Sequence, residues 1–344
     1  MTNPRFRRSF MLFLTLVLIM ACQLPAATSP TSVPPSPSFT LTPVVEIPTQ
    51  TATSTPTATP TEVPTLTPTL APHATRVLIL SIDGLRPDAI SLAPMPNILT
   101  LMQSSAFTMN AQTVYRSVTL TAHASMLTGL CPSKHGVDWN DYLPERGYAI
   151  GTDLFDVAHA AGLQTVMYVG KEKMIQITEP SSVDIYNYIN DRDLVITERV
   201  IDEFPEDFGV LFIHFPLVDG MGHEYGWMSP EQLSVAFRAD EALGMILTEL
   251  TERNLRSETL IIITSDHGGS GTGHGSDYPE DMTIPWIVSG PGVQPGRLDS
   301  PVHTMDTAAT AAFVLDLPIP LEWDGVPVYE AFGLPIEKQS EPCQ

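Results

Sequence analysis

Seven side chains of this 344-residue chain have the types and spacing that bind divalent ions or attack an electrophile. Asp266-His267-Gly268-Gly269 sets a carboxylate beside an imidazole, and the glycines after them let the chain turn sharply and approach a ligand closely. His274 follows in the same glycine-rich loop, within Gly273-His274-Gly275. Asp219 and His223 are four residues apart, which puts both on one face of a helical turn. Asp83 closes the first long apolar run, and Thr119 stands at the start of a helical pattern. Carboxylate oxygens and neutral imidazole nitrogens are the donor set of zinc or a similar divalent ion. A threonine hydroxyl is a poor nucleophile at neutral pH, and coordination to such an ion lowers its pKa enough to let it attack. Singly, each aspartate could be a helix cap and each histidine a core residue, so the case rests on what places them together.

The elements that must position these residues are legible as apolar runs. Arg76 to Ile82 is almost continuously apolar, the pattern of a strand buried on both faces of a parallel sheet. Gln164 to Val169, Gly209 to Phe215, Thr259 to Thr264 and Ile284 to Val288 are further strand candidates. Helical patterns at Pro96 to Ser104, Thr121 to Thr128, Thr152 to Ala161, Arg192 to Phe204, Pro230 to Asn254 and Met305 to Leu315 lie between or after them. Strand and helix in alternation predict an α/β domain with a mainly parallel central sheet and helices on both faces. Asp83, Asp219 and Asp266 each follow the carboxyl end of a strand, the edge at which open α/β sheets bind ligands.

Thr119-Leu120-Thr121-Ala122-His123 continues to Thr128-Gly129 and then to Pro132-Ser133-Lys134-His135-Gly136. With Asp83 upstream and Asp219, His223, Asp266, His267 and His274 downstream, this order resembles the alkaline phosphatase superfamily, and within it the type I phosphodiesterase and nucleotide pyrophosphatase family. The resemblance runs from Arg76 to about Gly333 and includes Trp323-Asp324-Gly325-Val326-Pro327. It implies two divalent ions, zinc by preference. One is held by Asp219, His223 and His274, the other by Asp83, Asp266, His267 and the Thr119 oxygen. It also implies that Thr119 attacks phosphorus to form a phosphothreonine, which water then hydrolyses. Ions about 4 Å apart stabilise both the attacking and the departing oxygen of such a displacement.

The motif departs from the family at Ala122, where an asparagine usually donates a hydrogen bond to a phosphoryl oxygen. Backbone amides near Leu120, or Lys171 and Lys173 just past the Gln164 to Val169 strand, are the candidate replacements. That placement is similar to substrate-binding lysines of sulfatases and phosphonoacetate hydrolases; the bland alternative is a pair of solvated charges. Cys131-Pro132-Ser133-Lys134 resembles the sulfatase signature without its spacer. His123, His135, His214 and His303 are read as supporting residues. Three functions stay open. A phosphodiesterase needs a surface for its second substituent, which Tyr115, Tyr142, Tyr225 and Trp227 could supply. A phosphomonoesterase or phosphonate hydrolase would reward Lys171 and Lys173, and a non-catalytic surface lipoprotein would need none of the ligands.

The ends complete the organisation. Residues 1–21 read as a signal segment with Arg5, Arg7 and Arg8 ahead of an apolar run. Leu18-Ile19-Met20-Ala21-Cys22 resembles a bacterial lipobox, which implies a lipid on Cys22 and an extracytoplasmic, membrane-anchored protein. Residues 22–74 are a Pro/Thr-rich stretch with too few large apolar side chains to repay ordering, and are expected to form a disordered stalk ahead of a catalytic domain at 75–344. From Thr75 onward 14 basic residues face 37 acidic ones, which excludes duplex nucleic acid as a partner and leaves a small phosphate ester as substrate. Cys131 and Cys343 can pair in an oxidising compartment, although one sits beside the candidate site and the other at the chain end. Nothing in the pattern fixes an oligomeric state.

Overall fold

The computed structural model of the chain describes residues 73–343. The signal segment, Cys22 and the stalk up to residue 72 lie outside the described residues, and no described helix is long and apolar enough to cross a membrane.

Eight strands form one sheet: β1 Arg76–Ile82, β2 Ala106–Gln112, β3 Gln164–Val169, β4 Ile185–Tyr188, β5 Phe208–Phe215, β6 Thr259–Thr264, β7 Thr283–Ser289 and β8 Gly296–Arg297. Their spatial order is β4-β3-β5-β1-β6-β7-β2-β8. β1 lies between β5 and β6 and pairs parallel with both. Its side chains alternate between two cores, as the two-residue period requires. Val77 and Ile79 pack among the helices Thr119–Thr128, Leu154–Ala160 and Asp306–Val314. Leu78, Leu80 and Ile82 pack among Pro87–Leu92, Pro96–Met102, Asp193–Asp202 and Pro230–Glu252. All five are fully buried, each contributing about 1.5–3 kcal/mol of transfer free energy. The sheet is thus covered on both faces, with its carboxyl edge left for the site.

The strands that the sequence reading passed over are peripheral. β2, AFTMNAQ, mixes Thr108, Asn110 and Gln112 with apolar residues and changes register between Thr108 and Ala111, so it has no clean period. β4 has four residues and β8 two. β7 runs antiparallel to both β6 and β2, which makes the sheet mostly rather than wholly parallel.

Cys131 and Cys343, left open by the sequence, form a disulfide across 212 residues. It packs on Val114, Ala122 and Met305, and ties the turn after the Thr119 helix to the C-terminal segment. Cross-links of long loops remove unfolded-state entropy worth about 2–5 kcal/mol, or roughly 5–15 °C in midpoint for a domain of this size. Cys343→Ser is expected to lower the melting midpoint by that amount, a difference that vanishes when both proteins are melted reduced. Equal midpoints without reductant would show that the cross-link contributes nothing.

Candidate metal centre

β1 delivers Asp83 directly after Ile82, and β6 delivers Asp266 and His267 after the single intervening residue Ser265. Gly84 turns the chain with φ of 73°, and a Cβ on it would stand 3.0 Å from the Asp219 Cα. Only glycine combines that backbone angle with that approach, and its N–H donates to Asp266 Oδ1 at 3.1 Å. Asp219 and His223 are one turn apart on the helix Leu217–Tyr225 that follows β5. His274 enters from the loop after β6. The structure brings these six residues into two trios, Asp83 with Asp266 and His267, and Asp219 with His223 and His274. Within each trio the ligand atoms all lie within 4.8 Å of one another.

The hydrogen bonds around the trios fix which atoms face inward. His267 Nδ1 lies 2.8 Å from the Gly268 carbonyl, His274 Nδ1 2.8 Å from that of Ser117, and His223 Nδ1 3.0 Å from that of Thr272. A carbonyl only accepts, so each Nδ1 carries the proton and each Nε2 a lone pair. Those Nε2 atoms face carboxylates: His267 at 3.4 Å from Asp83 and 3.2 Å from Asp266, His223 at 3.3 Å and His274 at 3.5 Å from Asp219. The Nε2 atoms of His223 and His274 face each other at 3.1 Å. Asp83 Oδ1, Asp219 Oδ1 and Asp266 Oδ2 are buried without a hydrogen-bond partner. Lone pairs of the imidazole nitrogens and of these unpartnered carboxylate oxygens converge within each trio, where they repel, and a shared cation is what satisfies them. The residues therefore fit divalent metal ions.

The titration behaviour agrees. Burial alone would raise the Asp83 carboxyl, but the Lys171 charge and the His214 hydrogen bond hold it well below the usual carboxylate range. Burial and the neighbouring Asp83 charge push Asp266 well above it, the pattern of like charges sharing one enclosed space. Burial lowers His267, and burial with the adjacent His267 brings His274 down to about 4. Both imidazoles are thereby kept neutral, the form that binds metal.

Thr119 is buried as the first residue of the ten-residue helix Thr119–Thr128, which has no side-chain cap. Its Oγ1 is 3.5 Å from His267 Nε2 and 3.3 Å from Lys171 Nζ. Lys171 reaches between the trios, 2.7 Å from Asp83 Oδ2 and 2.6 Å from Asp219 Oδ2. Burial acts to lower its pKa, but these carboxylates override that and raise it. Lys173 Nζ lies 2.9 Å from Asn140 Oδ1, an atom that also accepts the Leu120 N–H at 3.0 Å. Asn140 was missed by sequence reasoning; it sits in an irregular loop with no motif around it.

Several supporting histidines acquire defined roles. Gly170 N–H donates to His214 Nδ1, so the His214 Nε2–H donates to Asp83 Oδ2, at 2.8 Å. His123 Nδ1 meets the Thr119 carbonyl at 2.8 Å, and its Nε2 meets Ser81 Oγ at 2.8 Å. His135 holds Ser125 and Val137 in the turn.

Two expectations need correction. Ala122 is fully buried against Val114 and Met305, facing the disulfide cluster and not the metal trios. An amide there would enter an apolar core, so the position bears no vacant phosphoryl contact. Trp227 is 8 % exposed and hydrogen-bonded inside the fold, so it offers no stacking platform, whereas Tyr115, Tyr142 and Tyr225 are exposed. Cys131, being disulfide-bonded, is no sulfatase-type nucleophile.

Comparison with known proteins places this geometry. Residues 77–284 match the type I phosphodiesterase/nucleotide pyrophosphatase family. Human (Homo sapiens) ectonucleotide pyrophosphatase/phosphodiesterase family member 1 is 28% identical over 217 residues, 56% of this chain and 23% of that protein. The stretches matched span less than half the length of such relatives, 44% for human family member 5. Among solved structures, an inactive variant of murine ectonucleotide pyrophosphatase/phosphodiesterase 5 in complex with AMP superposes with a TM-score of 0.62 at 17% identity, covering 72% of this chain and 96% of that one. A phosphonate monoester hydrolase from Silicibacter pomeroyi gives 0.60 at 14% identity, covering 77% and 78%. At such identities the structural likeness speaks for the fold. The family match takes in more than half of the chain and carries nearly all of β1, the Thr119 helix and both trios, so the protein belongs to the type I phosphodiesterase/nucleotide pyrophosphatase family.

Proposed function

We propose that the chain is an extracytoplasmic, metal-dependent phosphohydrolase that cleaves phosphodiesters through a phosphothreonine at Thr119. The observation that carries this reading is the convergence of three unpartnered buried carboxylate oxygens with three imidazole lone pairs beside a hydroxyl at an uncapped helix start. Two divalent ions, zinc best matched to the donors, would be held by Asp219, His223 and His274 and by Asp83, Asp266, His267 and Thr119. When bound they would neutralise phosphoryl charge and lower the pKa of the hydroxyl.

The chain's own groups supply the rest. Thr119 Oγ1 forms a bond to phosphorus as the bond to the leaving alcohol breaks; water then attacks phosphorus and Thr119 recovers its hydroxyl. The free N–H groups of the first helical turn meet the phosphoryl oxygens. Asn140 has its oxygen engaged by Leu120 and Lys173, which leaves its amide N–H groups as donors to the same oxygens. His214 and His123 orient Asp83 and Thr119. Asn140→Ala is expected to lower kcat about 10²–10³-fold, as loss of one oxyanion donor does, while both ions stay bound; an unchanged kcat would remove Asn140 from the site.

A monoester or phosphonate substrate is the second reading, favoured by Lys173, which has no carboxylate within ion-pair range among the described residues. An ammonium rewards a doubly charged phosphoryl group more than a singly charged one. Turnover of bis-p-nitrophenyl phosphate against p-nitrophenyl phosphate by the zinc-loaded chain separates the two. Faster diester cleavage supports the first reading, monoester cleavage alone moves the assignment to the second, and cleavage of neither overturns both.

The Cys131–Cys343 disulfide supports an oxidising compartment. In this reading a lipid on Cys22 and the linker 22–74 hold the domain 75–344 at a membrane surface.

A further inference from the structure

Trp227 lies two residues beyond the helix that carries Asp219 and His223, and its contacts reach every loop that holds a trio residue. Its indole Nε1–H donates to the carbonyl of Gly84, next to Asp83, at 2.9 Å. Its backbone N–H donates to the Gly271 carbonyl, between His267 and His274, at 2.7 Å. The ring-fusion carbons fill the space that side chains on two glycines would need. A Cβ on Gly222, before His223, would lie 2.8 Å from Cε2, and one on Gly269, after His267, only 2.2 Å. The ring makes T-shaped contacts with two imidazoles, 5.2 Å from His223 and 5.7 Å from His274 between centroids.

We infer that Trp227 is a positioning residue for the metal centre, a strut that holds the two trios in fixed relation and aims the His223 and His274 rings. The inference rests on the metal reading above. His223 is surface-exposed, and its Nδ1 partner Thr272 belongs to the glycine-rich loop that also carries His274. Glycine-rich chain loses much freedom on ordering, and ligands ordered in advance bind more tightly because the ion need not supply that ordering. A rigid indole wedged between Gly222 and Gly269 and pinned to Gly84 supplies it.

The test is zinc binding by the full chain after chelator stripping, read by competition with a chromophoric chelator and by tryptophan emission. The difference between wild type and Trp227→Phe isolates the Trp227 signal from Trp139, Trp286 and Trp323, and zinc is expected to change it. Trp227→Ala is expected to weaken zinc binding about 10–100-fold, the range for groups that support metal ligands. Trp227→Phe keeps a ring but loses the Gly84 bond and is expected to show a smaller loss. Gly269→Ala puts a methyl group into the ring and is expected to reproduce the Trp227→Ala loss. The double variant should bind no more weakly than Trp227→Ala alone, because the group it displaces is gone. Wild-type affinity in folded Trp227→Ala, or fully additive losses in the double variant, overturns the proposal. If Trp227→Ala does not fold, wild-type affinity and wild-type emission response in Trp227→Phe overturn it. A wild-type chain that binds no zinc overturns the metal reading itself, a result visible before any variant is made.

Discussion

Thr119→Ala is expected to remove at least about 10³–10⁴ of the turnover rate, some 4–5 kcal/mol of barrier, while both ions remain bound and the fold is unchanged. In the proposed mechanism this hydroxyl is the nucleophile, and a methyl group in its place cannot form the bond to phosphorus. Its polar contacts are long, 3.3 Å to Lys171 and 3.5 Å to His267, so removing it costs little structural energy. The Asp83, Asp266 and His267 trio does not depend on it for its mutual geometry. Thr119→Ser keeps the hydroxyl and is expected to retain part of the rate. Steady-state kinetics with metal content measured on the same samples check the prediction. Near-full activity in Thr119→Ala would mean that water attacks phosphorus directly.

Asp83→Asn is expected to have the next largest effect, loss of one ion and about 10³-fold or more of the rate at limiting zinc. Asp83 has one oxygen engaged by Lys171 and His214 and the other, Oδ1, left bare toward His267. Asparagine can keep the first set of contacts by presenting its oxygen to His214, but it removes the charge that the ion needs. The thermal consequence has a definite sign. An ion held at about 1,000 times its Kd stabilises by ~4 kcal/mol, or roughly 8–16 °C in a domain of this size. Chelation is therefore expected to lower the wild-type midpoint substantially and the variant midpoint by less. Stripped of metal, the variant is expected to melt below wild type, because Lys171 and His214 hold Asp83 ionised in the fold and the substitution takes a carboxylate from the buried Lys171 charge. Differential scanning calorimetry with and without chelator reads all four states; an equal chelator effect on both proteins would remove Asp83 from the ligand set.

Periodicity and spacing in the sequence carry the central strands and the placement of the metal-ligand candidates. β1, β3 and β6 coincide with their apolar runs residue for residue, because the middle of a strand buried on both faces is apolar without alternation and so stands out from its surroundings. The strand-end placement of Asp83, Asp219 and Asp266 follows from the same runs. Asn140 was not legible, since its place beside Leu120 and Lys173 depends on how an irregular loop folds over the Thr119 helix. Ala122 was misread because one helix position decides between the site and the core, and only packing against Val114 and Met305 reveals which it faces. Trp227 stands near motifs, where a large aromatic suggests stacking; its burial depends on Gly222 in the helix before it and on Gly269 in the loop after β6. The disulfide joins residues 212 apart, a proximity that no local pattern carries.

The central claim is that two ions at the two trios make Thr119 a phosphoryl acceptor. It is tested most directly by titrating zinc into the chelator-stripped chain and reading phosphate-ester turnover at each addition. The account predicts that activity rises with zinc and reaches its plateau at about two equivalents per chain, with Thr119→Ala binding the same two equivalents and staying at background throughout. A chain that takes up no zinc, or one that takes up two equivalents and hydrolyses neither diester nor monoester, would contradict it.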